Sequence, residues 1–301
     1  MKKHKILSII PVYNRADQTL KFLSALSGMK SELYDLDILV IDDGSTDQTY
    51  EKISANFNNV ILEKGDGNLW WAGGVNMGLK YALGNTYDYA YIVNDDNIIK
   101  KDTLDALYKE VVLDDNYICT SLVLSVDNEL VLNAGLNYTG IFKKIIENRR
   151  GERADDIKGV MNVDLFGSRS TLMPVKCIKE IGLFDEKRFP QHYSDLEYFN
   201  RAKEYGYKLL VIPSSIVLTS ENTNYLHHYI QNCTFFELLK AYTNIRHPFH
   251  YKTIFYRCYV GRRGFRGSIL LFRETTVHCS WITLKFFAPN VLLKRIIKSI
   301  K

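Results

Sequence analysis

Asp37-Ile-Leu-Val-Ile41 runs straight into Asp42-Asp-Gly-Ser-Thr-Asp47, and this junction decides how the chain folds. Aliphatic and β-branched residues make the first part a strand. The acids and turn formers end it, and Ser45 or Thr46 is placed to cap a helix over 46–56. The same pattern repeats outward. A strand over 6–12 runs into Tyr13-Asn14 and a helix over 16–26, and a third strand covers 59–62. A helix over 74–83 precedes a strand over 89–93 that ends in Asn94-Asp95-Asp96. Strands alternating with helices predict an α/β fold, Rossmann-like, with a mostly parallel central sheet flanked by helices. Its crossovers are right-handed, and ligands sit beyond the carboxyl ends of the strands. The loops after strands one, two and four should therefore converge on one edge.

From 117 to 174 the pattern stays strand-like but less regular, with turn signals at Asp127-Asn128 and 137–140 and a charged insert over 147–158 that reads as a flexible loop. A helix is expected over 193–205, stopped by Gly206, then a strand over 208–212. Beyond 224 the sequence turns aromatic, basic and helical in period. Two parts follow: an α/β domain over 1–223 and a helical basic extension over 224–301.

The 301 residues, 46% hydrophobic and 24% charged, exclude a disordered chain. Five widely spaced cysteines without a C-x-x-C pair argue against a disulfide framework and a structural zinc site, and favour a reducing compartment. The basic start imitates a signal peptide, but its apolar run stops at Pro11, so a first strand is expected. Arg273 and Lys285 interrupt the longest apolar stretch, well short of the roughly 18 residues of a membrane span. The net charge of +5 is unevenly spread: residues 241–301 carry twelve Lys/Arg against the single acid Glu274, or +11, which leaves −6 for residues 1–240. Near the end, Leu292, Leu293, Ile296, Ile297 and Ile300 share one helical face and Lys294, Lys298 and Lys301 another. Such a basic amphipathic helix suits an anionic membrane surface. Packing onto the α/β domain, or onto a second copy in a homo-oligomer, is the other reading. No nucleic-acid module accompanies the charge.

Carboxylates at strand ends suit a divalent cation that neutralises a diphosphate. An Asp-rich turn before a helix at Asp102 would look the same, and the residues of 94–96 alone leave both readings open. Gly73-Gly74 at an expected helix start lets backbone N–H groups approach a phosphate, with Asn76 as a further contact, or lets a helix pack closely on the sheet. Trp70 and Trp71 suit either stacking on a sugar or burial. The histidines at 227, 228, 247 and 250 lack flanking acids or cysteines and read as packing residues.

Taken in order, Ile9-Ile-Pro-Val-Tyr-Asn-Arg15, Val40-Ile-Asp-Asp-Gly-Ser-Thr-Asp47 and Asn94-Asp-Asp96 closely resemble family-two glycosyltransferases, over about residues 5–218. Gly67-Asn-Leu-Trp-Trp-Ala-Gly-Gly-Val-Asn-Met-Gly78 looks like the segment of bacterial rhamnosyl- and related transferases of surface polysaccharide synthesis. The resemblance implies a GT-A fold, an inverting mechanism and a nucleoside-diphosphate-sugar donor, here expected to be a UDP- or dTDP-sugar; the basic tail adds the expectation of a glycan or lipid-linked acceptor at the cytoplasmic face of the membrane. By the same resemblance Pro11 and Tyr13 line the nucleotide, Asp43 accepts from a pyrimidine with Asp42 beside it, and Asp95 holds the ribose. Asp96 ligates Mg²⁺ or Mn²⁺, although Asn94 stands where the family's motif has its first aspartate. Within His192-Tyr-Ser-Asp-Leu-Glu197, Asp195 aligns with the catalytic base, Glu197 with a second acid, and Ser194 replaces the usual glutamate. From the residues themselves, His192 is a candidate to orient the acceptor or assist the metal, with plain hydrogen bonding as the alternative, and Trp71, Gly73, Gly74 and Asn76 are the candidates to border the diphosphate or sugar. Two rivals remain: a sugar-phosphate nucleotidyltransferase, which would need a glycine- and Arg/Lys-rich loop after the first strand, and a catalytically silent glycan-binding subunit.

Overall fold

A computed structural model describes residues 3–29, 31–141, 143–220, 229, 233–245, 247–262 and 264–286. The expected basic helix over 291–301 and the histidines at 227 and 228 lie outside the described residues. Contacts divide the chain into a first unit, Met1–Pro190 with Ser194–Glu221, and a C-terminal unit, Gln191–Tyr193 with Asn222–Lys301.

The first unit opens with β1 (His4–Val12), α1 (Ala16–Ser27), β2 (Tyr34–Asp42), α2 (Thr49–Asn56), β3 (Val60–Lys64), α3 (Trp70–Gly84) and β4 (Tyr89–Val93). After β5 (Ile98–Ile99) and α4 (Thr103–Val111) come β6 (Tyr117–Ser125), β7 (Val131–Asn133), β8 (Leu136–Thr139), β9 (Lys144–Glu147), β10 (Met161–Val163) and β11 (Ser170–Pro174). Then α5 (Val175–Ile181), α6 (Ser194–Glu204) and β12 (Lys208–Thr219) complete it. The main sheet runs β10-β12-β6-β11-β4-β1-β2-β3. β1 pairs in parallel with β2 and β4, β2 with β3, and β12 with β6, while β11 enters antiparallel between β4 and β6. It is the mixed α/β architecture with a mostly parallel sheet that the patterning predicts.

Alternation along the strands builds a core on each face. Leu7, Ile9, Leu39 and Ile41 pack with Val75 and Leu79 of α3. Ile6, Ile10, Ile38 and Val40 pack with Phe22 and Leu23 of α1 and Leu104 and Leu107 of α4. Helix α3 lies so close to β1 that a Cβ at Gly78 would stand 2.3 Å from Ile9 Cγ2 and one at Gly74 2.9 Å from Pro11 Cβ. Hydroxyls cross the sheet interior in a chain. Tyr91 to Ser170, Ser170 to Ser121 and Ser121 to Ser215 are 2.8, 2.7 and 2.7 Å apart, and Ser215 donates to the Thr103 carbonyl at 2.8 Å.

Three local expectations are corrected. α2 starts at Thr49 after Gln48 at φ 65°, not at a cap on Ser45 or Thr46. Ser45 Oγ instead accepts from Asn14 N, Thr46 N donates to Asn14 Oδ1, and Asp47 holds Thr49 N and Ala16 N. The insert over 147–158 is tied down: Val131 and residues 151–152 exchange backbone hydrogen bonds of 2.8 and 2.9 Å, and Ile157 is buried. The strand begun at 208 runs on to Thr219 across a bulge at residues 212–216, which keeps it paired with β6.

In the C-terminal unit α7 (Phe235–Thr243) starts at a capping box, Thr234 Oγ1 accepting from Glu237 N while the Glu237 carboxylate accepts from Thr234 N. α8 (Tyr251–Arg257) and α9 (Phe265–Phe286) follow. Among the described residues no helix is long and apolar enough to cross a membrane.

Candidate active site

Register brings the ends of β1, β2 and β4 to one edge, since Val12 pairs with Asp42 and Ile9 with Ile92, so that the residues just after Val93 lie beside the last residues of β1. Asp43 N continues the pairing to Val12 O at 3.0 Å. The loops after all three strands therefore share one edge.

Asp43 and Asp42 are almost fully buried. The Asp43 carboxylate accepts from Gly67 N, Leu69 N and Trp70 N at 2.9, 3.1 and 2.9 Å. Three donors on one carboxylate leave about one of its roughly four acceptor positions. They also fix where α3 begins, because an anion at the first turn satisfies N–H groups that have no partner within the helix. Trp70, the first helical residue, is held there at φ 56°. Asp42 Oδ1 accepts from Ser45 N at 2.9 Å and shapes the turn between them.

This origin of α3 corrects the reading of the glycines. Gly73 N is already bonded to Leu69 O at 2.9 Å, and both Gly73 and Gly74 are buried inside the helix. They serve close packing, Gly74 against Pro11, rather than a free helix start. Asn76 is likewise engaged by protein: its Nδ2 donates to Phe184 O and Glu186 Oε2 at 3.0 and 2.7 Å, and its Oδ1 accepts from Phe184 N at 2.9 Å. Trp71, half-buried and edge-on to Phe184, donates through Nε1 to Asn94 Oδ1 at 3.0 Å. Tyr13 is half-buried just past the end of β1.

The acid pair after β4 faces two arginines that the sequence did not single out. Arg15 Nη1 lies 3.2 Å from Asp95 Oδ1 and 3.6 Å from Asp96 Oδ2, while Arg169 Nη1 lies 3.6 Å from Asp96 Oδ1. Thr19 Oγ1 donates to Asp95 Oδ2 at 2.7 Å. Burial pushes the Asp95 carboxyl up, against the Thr19 bond and the Arg15 charge that pull it down. Asp96 Oδ1 is buried and has no hydrogen bond. A carboxylate oxygen left in that state retains lone pairs for a hard cation, so Asp96 fits a metal ligand. Among the described residues no three His, Cys, Asp or Glu side chains cluster as a complete cation site.

Asp195 stands in the first turn of α6, where Ser168 N donates to its Oδ2 at 3.3 Å. Glu197 is buried and paired with Arg201 by contacts of 2.8 and 3.0 Å; Arg201 also donates to Ile181 O and Leu183 O. The pair straps α6 to the end of α5. His192 groups with the C-terminal unit.

One series of contacts connects the three acid positions. Trp70 N binds Asp43 and the Trp71 ring binds Asn94, whose backbone N donates to Arg169 O at 3.1 Å. The preceding residue, Ser168, binds Asp195, and Ala72 N donates to Pro190 O at 2.9 Å.

The model of Glycosyl transferase family 2 matches residues 8–169, more than half of the chain. Among curated proteins, a glycosyltransferase named GlyG from Streptococcus pneumoniae serotype 4 is 29% identical over 108 residues, 34% of this chain and 34% of that protein. An uncharacterized glycosyltransferase from Mycoplasma pneumoniae, the MG060 homolog, is 30% identical over 146 residues, 47% of this chain and 43% of that one. The chain thus spans less than half the length of these relatives. Among solved structures, GalNAc-T7 with UDP, GalNAc and Mn²⁺ is similar with a TM-score of 0.62 at 13% identity, over 95% of this chain and 56% of that one. The mannosyltransferase PcManGT of Pyrobaculum calidifontis, in complex with GDP-Man and Mn²⁺, gives 0.56 at 13% identity, over 98% and 87%. At such identity the likeness bears on fold, and the fold is GT-A.

Proposed function

The chain belongs to glycosyl transferase family 2, and on that premise we propose that it moves a sugar from a nucleoside diphosphate onto a hydroxyl of a glycan or lipid-linked glycan, with inversion and with Mg²⁺ or Mn²⁺. The observation that carries the reading is the run of hydrogen bonds joining Asp43, the Asn94–Asp96 loop and Asp195.

Asp43 has one acceptor position left for a pyrimidine N–H, beside Tyr13 and Pro11. Asp95, whose charged form burial disfavours, is suited to a hydrogen bond with a ribose hydroxyl. Asp96 would hold the cation, which supplies charge neutralisation to the departing diphosphate. Arg15 and Arg169 add positive charge beside it. Asp195 takes the proton of the attacking hydroxyl from its place in the first turn of α6. Glu197, already committed to Arg201, keeps α6 in place.

Membrane association and a role in surface polysaccharide belong to the same proposal. The exposed Phe236, Phe265 and Phe272 of the C-terminal unit, 73%, 78% and 76% accessible, support a peripheral surface contact. The test is release of nucleoside diphosphate from UDP-, dTDP- and GDP-sugars with Mn²⁺ or Mg²⁺ and a membrane extract as acceptor. Asp195→Asn should lose roughly 10²- to 10⁴-fold in kcat while donor binding by calorimetry persists. Normal turnover by that variant removes Asp195 from the base role, and donor binding without any transfer by the wild type supports a silent subunit instead.

A further inference from the structure

Arg169 stands one residue ahead of β11, and two parts of it serve the acid loop in different ways. Its carbonyl accepts from Asn94 N at 3.1 Å and from Asn97 Nδ2 at 2.6 Å, which secures both ends of the turn over 94–97. Its guanidinium returns to the same turn: Nη1 donates to Thr219 Oγ1 at 3.2 Å, at the end of β12, and lies 3.6 Å from Asp96 Oδ1. Arg15 Nη1 lies 3.6 Å from the other Asp96 oxygen and 3.2 Å from Asp95. Two carboxylates thus face two guanidinium groups, and all four belong to the first unit. Charge is balanced, yet neither contact with Asp96 reaches the roughly 2.7–3.2 Å of a hydrogen bond. Buried polar atoms without a hydrogen bond also gather at this loop, where Asp96 Oδ1, Asn97 Oδ1 and Ser168 Oγ are all in that state. Such atoms normally find a partner, so their concentration around Arg169 points to a ligand.

We infer that Arg169 changes partner on ligand binding: it is the counter-ion of Asp96 beforehand and a ligand of the donor's diphosphate afterwards. The inference rests on the donor and cation roles proposed above and adds what links them. Asp96 can take a cation only by giving up a guanidinium, so a cation alone gains little from carboxylates that are already compensated. Arg169 can take a diphosphate only by leaving Asp96 to Arg15, so the diphosphate alone also binds at a cost. With both ligands present each cost is removed. The cation replaces Arg169 at Asp96, and the released guanidinium, a planar fork with five N–H donors, meets phosphate oxygens. The two ligands therefore bind with positive coupling, and linkage requires the same factor whichever is titrated first. Every residue type supplies the carbonyl that secures the loop, so substitutions at 169 remove the charge and keep the acceptor for Asn94 and Asn97.

The experiment uses the full chain and measures binding rather than turnover. Mn²⁺ alone is titrated by electron paramagnetic resonance, and UDP, dTDP and GDP by calorimetry with EDTA and with Mn²⁺, on the wild type, Arg169→Gln, Arg169→Ala and Arg169→Lys. In both neutral variants Mn²⁺ alone should bind about tenfold more tightly and the nucleoside diphosphate about tenfold more weakly, while the matching nucleoside binds as in the wild type. Arg169→Lys keeps a point charge without the fork, so Mn²⁺ affinity should stay near the wild type and only part of the diphosphate affinity should return. A loop damaged by substitution would weaken both ligands, so opposite signs separate partner exchange from a structural role. Any other combination overturns the inference, and if Arg169→Ala fails to fold, Arg169→Gln reads the same two signs. Diphosphate binding that stays intact in Arg169→Gln overturns partner exchange and leaves the proposed function standing. No binding of any nucleoside diphosphate by the wild type overturns both.

Discussion

The strand-end loops and the C-terminal helices treat buried polar groups in opposite ways. Around the strand ends charge is retained: Asp43 is surrounded by three backbone donors, and Asp95 and Asp96 face two arginines. The C-terminal unit retains one largely buried ion pair, Arg257 with Glu274, but its buried histidines are shifted toward the neutral form. His278 is buried beside Phe249 and hydrogen-bonded to Tyr242, and burial together with the nearby Arg257 pulls it down to about 4. His250 is lowered by burial in the same direction. The first region keeps its carboxylates among backbone donors and arginines, whereas burial in the second lowers the histidines toward their neutral form.

The sharpest way to break this contrast is Asp43→Ala. Three N–H groups lose their acceptor and α3 loses its first-turn anion, so the first unit should lose roughly 3–5 kcal/mol by denaturant unfolding. A loss under about 1 kcal/mol would mean that water or another group replaces the carboxylate and that retained charge is not what organises the edge. Next comes acid. The unfolded chain protonates His278 near pH 6.5, but the folded chain resists down to about 4. Its stabilising effect is therefore complete above pH 6.5 and falls as pH drops toward 4, by at most about 3 kcal/mol. The protection of α9 amides, exchange corrected for the intrinsic amide rate at each pH, should fall from pH 7 to 4 in the wild type and stay level in His278→Gln, with β1 and β2 unaffected. An equal loss of protection in β1 and β2 would erase the distinction. The smallest effect is expected from Gly78→Ala, whose Cβ meets Ile9 Cγ2 at 2.3 Å. Overpacking there should cost about 1–3 kcal/mol in thermal unfolding of the first unit and leave α9 exchange as it was.

Much of this edge is legible in the sequence because its signals are local. β4 spans Tyr89–Val93 as its apolar run indicates, and β1, β2 and α1 extend only a few residues beyond their patterns. What stays hidden is non-local. Arg169 reaches Asp96 only because β11 inserts antiparallel between β4 and β6, and no periodicity announces which strand will enter there. The start of α3 is hidden for a related reason: Asp43, far back in the chain, fixes it at Trp70, so Gly73 and Gly74 fall inside a helix where their own neighbourhood suggested its beginning. Arg15 carries a local signal, an arginine directly following a strand-end turn, and it lies 3.2 Å from Asp95. Asn76 offers no such signal, since its partners around Phe184 and Glu186 are more than a hundred residues away.

The hydroxyls that cross the sheet interior have a polarity. Each carries a single hydrogen, and Ser215 commits its own to the Thr103 carbonyl. Ser121 must then give its hydrogen to Ser215, Ser170 to Ser121, and Tyr91, which burial keeps protonated, to Ser170. One carbonyl at the edge of α4 thus sets the direction of four O–H dipoles between β4 and β12. Loss of the phenolic oxygen at position 91 would only remove the first donor of the row, whereas loss of the hydroxyl at 215 would free every dipole behind it to reverse.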